Sequence, residues 1–169
     1  MARDLLLLRH AKSDWDTGTG TDFGRPLAPR GLRDAPRMGD WIRENGLVPD
    51  RLVSSPALRA RQTTELVAKA AGFGQEILWA PGIYAADVGD LLQILASLPG
   101  QGLRTLLVGH NPGLEHLLAF LTTPPDRDRL EIHALKTATL AQISLPDSWD
   151  DLPRGCGRLI RIQYPRELA

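Results

Sequence analysis

The chain has 169 residues, 43% hydrophobic and 24% charged, with 20 basic side chains against 20 acidic ones. Such values belong to one folded domain, expected to span residues 1–169, and exclude a disordered chain. Zero net charge argues against a dedicated binder of nucleic acid or of a membrane surface, which would show a basic excess, and no apolar run approaches the ~18 residues of a membrane span.

In chain order, Leu5 to Leu8 is a short run apolar on both faces, as in a central strand of a covered sheet. A polar loop, 13–28, follows. Pro29 opens a helical stretch through Leu32, Met38, Trp41 and Ile42 that ends at Asn45-Gly46. Pro36 inside it predicts a kink or a later start. Arg51 to Val53 is a second strand, and Ser55-Pro56 reads as N-cap and first residue of a helix running to Ala71-Gly72. Ile77 to Trp79 is a third strand. Val88, Leu91, Leu92 and Leu95 have helical spacing over 87–98. Thr105 to Val108 is a fourth strand, and Asn111-Pro112 reads as the start of a helix through Leu121. Segments 138–145 and 158–163 are strand-like and joined by a hairpin-type connection. Alternating strand and helix predicts a three-layer α/β/α sandwich, with a largely parallel central sheet and antiparallel C-terminal strands. The lone cysteine, Cys156, forms no internal disulfide, which fits a reducing cytoplasm, the expected location.

The polar residues fall at one kind of place. The first strand ends in Arg9-His10, the second in Ser54-Ser55 with Arg59 one turn into the next helix, the fourth in Gly109-His110-Asn111. Ligands of open α/β sheets bind beyond the carboxyl ends of the strands, and helix N-termini there favour an anion. Two guanidiniums, two imidazoles and backbone amides fit phosphate. A neutral imidazole is nucleophilic near pH 7 without a general base, so a histidine at this place can attack phosphorus and form an N-phosphoryl intermediate that water hydrolyses. Each residue alone is weak evidence. A histidine after a strand is more often structural, and arginine outnumbers lysine 17 to 3 here, so one of Arg59 and Arg61 is expected to face solvent.

Leu7-Leu8-Arg9-His10-Ala11 resembles the Arg-His-Gly signature of the histidine phosphatase superfamily, which also includes the phosphoglycerate mutases. Ser54 to Thr63 resembles its second motif, with the arginine at Arg59, and Val108-Gly109-His110-Asn111 its third. Arg9 to Trp15, the Arg25-Pro26-Leu27 segment and the small size are similar to the SixA-type phosphohistidine phosphatases. The resemblance implies that His10 is the phosphorylated nucleophile, that Arg9 and Arg59 clamp the phosphoryl group, and that His110 contacts it, with no metal or other cofactor. Asn111 and Ser13 are further candidates for substrate binding. Two departures stand out. Ala11 replaces the usual glycine. Ile83 to Asp87 holds no glutamate where many members carry a proton donor, and Asp87 is either a positional substitute or a helix N-cap. A missing acid suits a good leaving group such as phosphohistidine.

The expected activity is therefore that of a cytoplasmic, metal-independent phosphatase acting on a phosphohistidine-bearing protein. The alternatives are a phosphatase for small phosphorylated metabolites and a phosphoanion-binding module without turnover. Glu115 and His116 do not make a metal site with His110, because residues six apart lie on different helix faces. His133 stands alone. Lys12 and Trp15 line the substrate entrance or, for Trp15, pack. Trp41 and Trp149 are expected in core or edge packing.

Overall fold

The structure, a computed structural model, describes residues 3–16, 20–100, 102–129 and 134–168; His133 lies outside them. The strands are β1 (Arg3–Arg9), β2 (Arg51–Ser54), β3 (Leu78–Trp79), β4 (Arg104–Gly109), β5 (Leu140–Leu145) and β6 (Arg158–Gln163). They form one sheet in the order β3-β2-β4-β1-β5-β6. The first four pair in parallel, β5 pairs antiparallel with β1, and β6 antiparallel with β5.

The four leucines of β1 explain the layering. Side chains alternate across a strand, and all four are fully buried. Leu5 and Leu7 join Val53, Leu107 and Ile143 under α3 (Val88–Ser97) and α4 (Gly113–Leu121), against Leu91, Leu95, Leu114 and Leu117. Leu6 and Leu8 join Leu52, Leu106 and Val108 on the other face, under α1 (Pro29–Glu44) and α2 (Leu58–Ala71), against Met38, Ile42 and Val67. Each buried leucine contributes about 1.5–3 kcal/mol. A strand apolar on both faces requires helices on both, and the three-layer sandwich follows. Trp149 is buried in the first cluster and Trp41 packs against the second.

Three local expectations need correction. α1 begins at Pro29 and continues through Pro36 to Glu44, so the later start does not occur. An internal proline costs about 3 kcal/mol, and the helix face that buries Ala35, Met38, Gly39 and Ile42 outweighs it. α2 begins at Leu58, after Ser55-Pro56. Ser55 Oγ accepts the Ala57 N–H at 3.2 Å, which closes a turn ahead of the helix instead of capping it. α4 begins at Gly113, because Asn111 spends its side chain on Glu115 and on the Leu135 carbonyl. A further helix, α5 (Pro124–Arg129), has no apolar periodicity to announce it.

α1 comes close to the chain that follows β1. An added Cβ on Gly31 would lie 2.2 Å from the Lys12 carbonyl oxygen, two residues past His10. Glycine to alanine within a helix ordinarily gains up to about 1 kcal/mol. Gly31→Ala is expected instead to lose about 1–3 kcal/mol, read as a lower denaturant midpoint at unchanged slope; a higher midpoint would refute the close approach.

Candidate active site

Register builds the site. Arg9 on β1 is level with Gly109 on β4, and Ser54 on β2 is level with Val108. Neighbouring strands lie about 4.8 Å apart, so one residue further on His10 and His110 face each other, with ring centroids 5.2 Å apart. The extension is hydrogen-bonded: His10 N–H donates to Gly109 O and Ser55 N–H to Val108 O, both at 3.1 Å. The carboxyl ends of three adjacent strands thus present Arg9-His10, Ser55 and His110 side by side.

His10 is 6% exposed. Its Nδ1 lies 2.8 Å from the Ala11 carbonyl oxygen, which can only accept. Nδ1 therefore carries the proton and the Nε2 lone pair is unprotonated. Burial lowers the His10 pKa to about 3, aided by the charges of His110, Arg59 and Arg9 and opposed by the Ala11 hydrogen bond. The ring is neutral at pH 7. Ala11 needs no glycine, since positive φ is confined to other residues; its N–H donates to Thr63 Oγ1 at 2.9 Å, and Thr63 Oγ1 donates to the Arg59 carbonyl at 2.7 Å. One threonine ties the segment after His10 to the helix turn that carries Arg59.

Arg9 donates through Nη1 to Leu135 O at 3.0 Å. The same carbonyl takes Asn111 Nδ2 at 2.7 Å, and Ala138 N–H reaches back to the Arg9 and His10 carbonyls, each at 3.1 Å. The segment 135–138 is thereby pinned along the end of β1. Arg59 is buried; its Nη1 donates to Asp22 O at 2.7 Å and its Nη2 to Asp22 Oδ2 at 3.1 Å. Asp22 also accepts from Tyr84 Oη at 2.7 Å and from Arg25 at 3.0 Å. The Tyr84 hydrogen bond first, then Arg25, hold the Asp22 carboxyl well below the usual carboxylate range, and Asp22 in turn raises the Tyr84 phenol. Tyr84 stands edge-on to His110, with Phe23 edge-on to Tyr84, at 5.6 and 5.1 Å between centroids.

His110 Nε2 lies 2.8 Å from Ser55 Oγ. Ser55 Oγ already accepts the Ala57 N–H, so the pattern that uses each donor once sends the serine hydrogen to Nε2 and leaves the neutral ring's proton on Nδ1. Burial and then Arg59 lower the His110 pKa to about 4. Arg9 Nε, Arg59 Nε and His110 Nδ1 are buried without a hydrogen-bond partner among the described residues. The oxygens of a tetrahedral anion would satisfy such donors.

The sequence-predicted residues divide. Arg9, His10, Arg59 and His110 come together; Arg61 is exposed. Asn111 adjoins the site, with Nδ2 committed to Glu115 and Leu135 and Oδ1 unpartnered. Ser13 is buried against Arg25, which donates to its hydroxyl. Asp87 caps α3: its side chain accepts Asp90 N–H at 2.8 Å and Asp90 answers at its backbone N–H. Trp15 is 72% exposed and carries the Arg25 guanidinium 3.6 Å over its ring. Among the described residues, no group of three or more His, Cys, Asp or Glu could hold a metal. Sequence reasoning missed Asp22, Tyr84 and Thr63, and weighed Glu115 only as a metal ligand. Only Thr63 left a trace, standing one helical turn beyond Arg59.

Comparison with known proteins adds an independent line. The family model described as "Histidine phosphatase superfamily (branch 1)" matches residues 5–94. An uncharacterised protein of Mycobacterium tuberculosis is 31% identical over 163 residues, covering 94% of this chain and 100% of the relative. The phosphohistidine phosphatase SixA of Escherichia coli is 28% identical over 149 residues, covering 85% and 86%. A crystal structure from Agrobacterium tumefaciens, assigned as a phosphohistidine phosphatase SixA, superposes with a TM-score of 0.81 at 29% identity, covering 98% of this chain and 99% of that one.

The imidazole states can be checked directly. 15N-edited NMR at pH 7 is expected to show His10 protonated on Nδ1 only. A pH titration should leave both His10 and His110 neutral down to about pH 5, because both values sit well below 6.5. A midpoint near 6.5 for His10 would contradict the burial argument.

Proposed function

Since the chain belongs to the histidine phosphatase superfamily, we propose that it hydrolyses phosphohistidine in a protein partner through a covalent intermediate on His10. The observation that carries this reading is the His10 hydrogen bond to Ala11 O, which puts the ring proton on Nδ1 and leaves the Nε2 lone pair available for attack. Nε2 attacks phosphorus in line as the substrate's P–N bond breaks, and the electron pair leaves with the substrate imidazole. Arg9 and Arg59 hold the phosphoryl oxygens, and His110 Nδ1–H donates to one of them. Water then attacks phosphorus, the P–Nε2 bond breaks, and neutral His10 and inorganic phosphate are regenerated.

Leaving-group chemistry supports the substrate class. Asp22 is held ionised by Tyr84, Arg25 and Arg59, Glu115 accepts from Asn111 and Leu135 N–H, and Asp87 is a helix cap. None of these three carboxyls is placed as a proton donor. An imidazole protonated by solvent leaves readily, whereas an alkoxide needs a positioned acid. A second reading, a small phosphomonoester, is favoured by one observation. Asp22 of the 13–28 segment lies over Arg59 and Tyr84, and the Phe23 carbonyl takes the Leu58 N–H, so a cover stands beside the clamp. The two readings separate on kcat/KM for a phosphohistidine peptide against a panel of alkyl phosphomonoesters.

Acid quenching with 32P-labelled substrate is expected to trap an acid-labile, base-stable label on the wild type and none on His10→Ala. A label that survives in the variant would refute the nucleophile assignment, and binding of phosphate without any turnover would leave only an anion-binding module. Arg59→Ala should lower kcat/KM on the order of 10²–10³, and Arg61→Ala far less; equal losses would contradict the choice between them. EDTA should leave the rate unchanged.

A further inference from the structure

Outside the catalytic cluster, a strongly basic groove adjoins Lys136 and Thr137. A groove of about 380 Å³ is lined by Arg30, Arg33, Arg37, Lys136 and Arg166, with Asp34 as its one carboxylate. A protein with equal numbers of acidic and basic side chains thus places an excess of four positive charges around one depression. Asp34 pairs with Arg37 at 3.6 Å and Arg30 at 4.0 Å, and the excess of four already counts its charge. Arg33 and Lys136 are exposed and make no ion pair among the described residues.

Position gives the groove its meaning. Leu135 O holds Arg9, and Ala138 N–H holds the Arg9 and His10 carbonyls. Between them, Lys136 and Thr137 line the groove, and Arg30 reaches Thr137 Oγ1 at 3.5 Å. The backbone of Leu135 and Ala138 therefore borders the catalytic site, while Lys136 and Thr137 between them belong to the groove alone. From the other side, α1 seats Gly31 against the Lys12 backbone, two residues past His10.

The side chains also limit the occupant. A small phosphate site brings guanidinium forks together out of water. Here the Arg30 side chain is 56% exposed and that of Arg37 34%, so the cations ring an open depression. Such a rim suits an extended partner with several negative charges. A single-stranded nucleic acid would want open aromatic faces for its bases, and Tyr164, the groove's aromatic, already carries the Arg166 guanidinium at 5.1 Å.

We infer that this groove docks an acidic segment of the phosphoprotein substrate and so presents the adjoining phosphohistidine to His10. The inference rests on the protein-phosphohistidine reading and adds to it the chemistry of the partner: carboxylates flanking the modified histidine.

The test uses two fluorescein-labelled peptides, each with a central histidine. One carries Asp and Glu on its flanks, the other Asn and Gln at the same positions. Unphosphorylated, the acidic peptide should bind the wild-type protein on the order of tenfold more tightly than its neutral counterpart at low salt. The difference should shrink as salt rises and vanish in the R33E/K136E variant. Phosphorylated on histidine, the acidic peptide should show a higher kcat/KM in the wild type and lose that advantage in the variant. Turnover of an aryl phosphate should not change, which also reports that the variant is folded; R33Q/K136Q gives a milder second variant. Equal binding of both peptides, or an acidic preference that survives R33E/K136E, overturns the docking site. So does binding of a polyphosphate or an oligonucleotide by a protein that ignores the acidic peptide. If the acidic peptide binds as expected but neither phosphopeptide is hydrolysed, the docking site stands and the phosphohistidine reading falls.

Discussion

Arg9 of β1 lies level with Gly109 of β4, and the arrangement of the site depends on that register. A slip of one residue would turn the leucines of β1 to the opposite layers and move His10 off His110. Packing holds the register, since Leu5 and Leu7 belong to one core and Leu6 and Leu8 to the other. The same residues that make the sheet insoluble in water on both faces therefore fix where the two imidazoles meet. Fold and site share one cause in this region.

Charge shapes what happens beyond the strand ends. Two guanidiniums, the buried His10 and the half-buried His110 crowd a small volume, and loss of water first, then the neighbouring charges, keeps both imidazoles unprotonated. Arginine cannot lose its proton in that way. The site is consequently cationic through Arg9 and Arg59 alone, with neutral rings between them, a combination in which one group can bind an anion and another can attack it. Asp22 partly balances Arg59, and it is itself tied to Arg25 and Tyr84.

The sandwich, its strand directions and the four central residues were legible because strong signals carry them: uninterrupted apolar runs, and polar residues where those runs stop. Helix starts were less legible. Ser55 and Asn111 are of the residue types that cap helices, yet tertiary partners claim both, His110 for Ser55 and Glu115 with Leu135 for Asn111. Pro36 misled in the other direction, because a local penalty said nothing about the face that helix would bury. Asp22 and Tyr84 left no mark, as each acts through neighbours distant in sequence: Arg59 is 37 residues from Asp22, and Tyr84 is 62. The basic groove was hidden for the same reason, its arginines lost in a composition already rich in that residue.

The partner of His10 Nδ1 has a chemical consequence. It is a peptide carbonyl, which bears no formal charge. A carboxylate there would neutralise the imidazolium that forms when the ring takes up phosphorus; the carbonyl only orients it. The loaded ring is then a cation bonded to an anionic phosphoryl group, and Arg9 and Arg59 pair with that group's oxygens and not with the ring. The negative charge that balances the loaded ring therefore comes from the phosphoryl group itself, and the ring returns to its neutral form when that group departs.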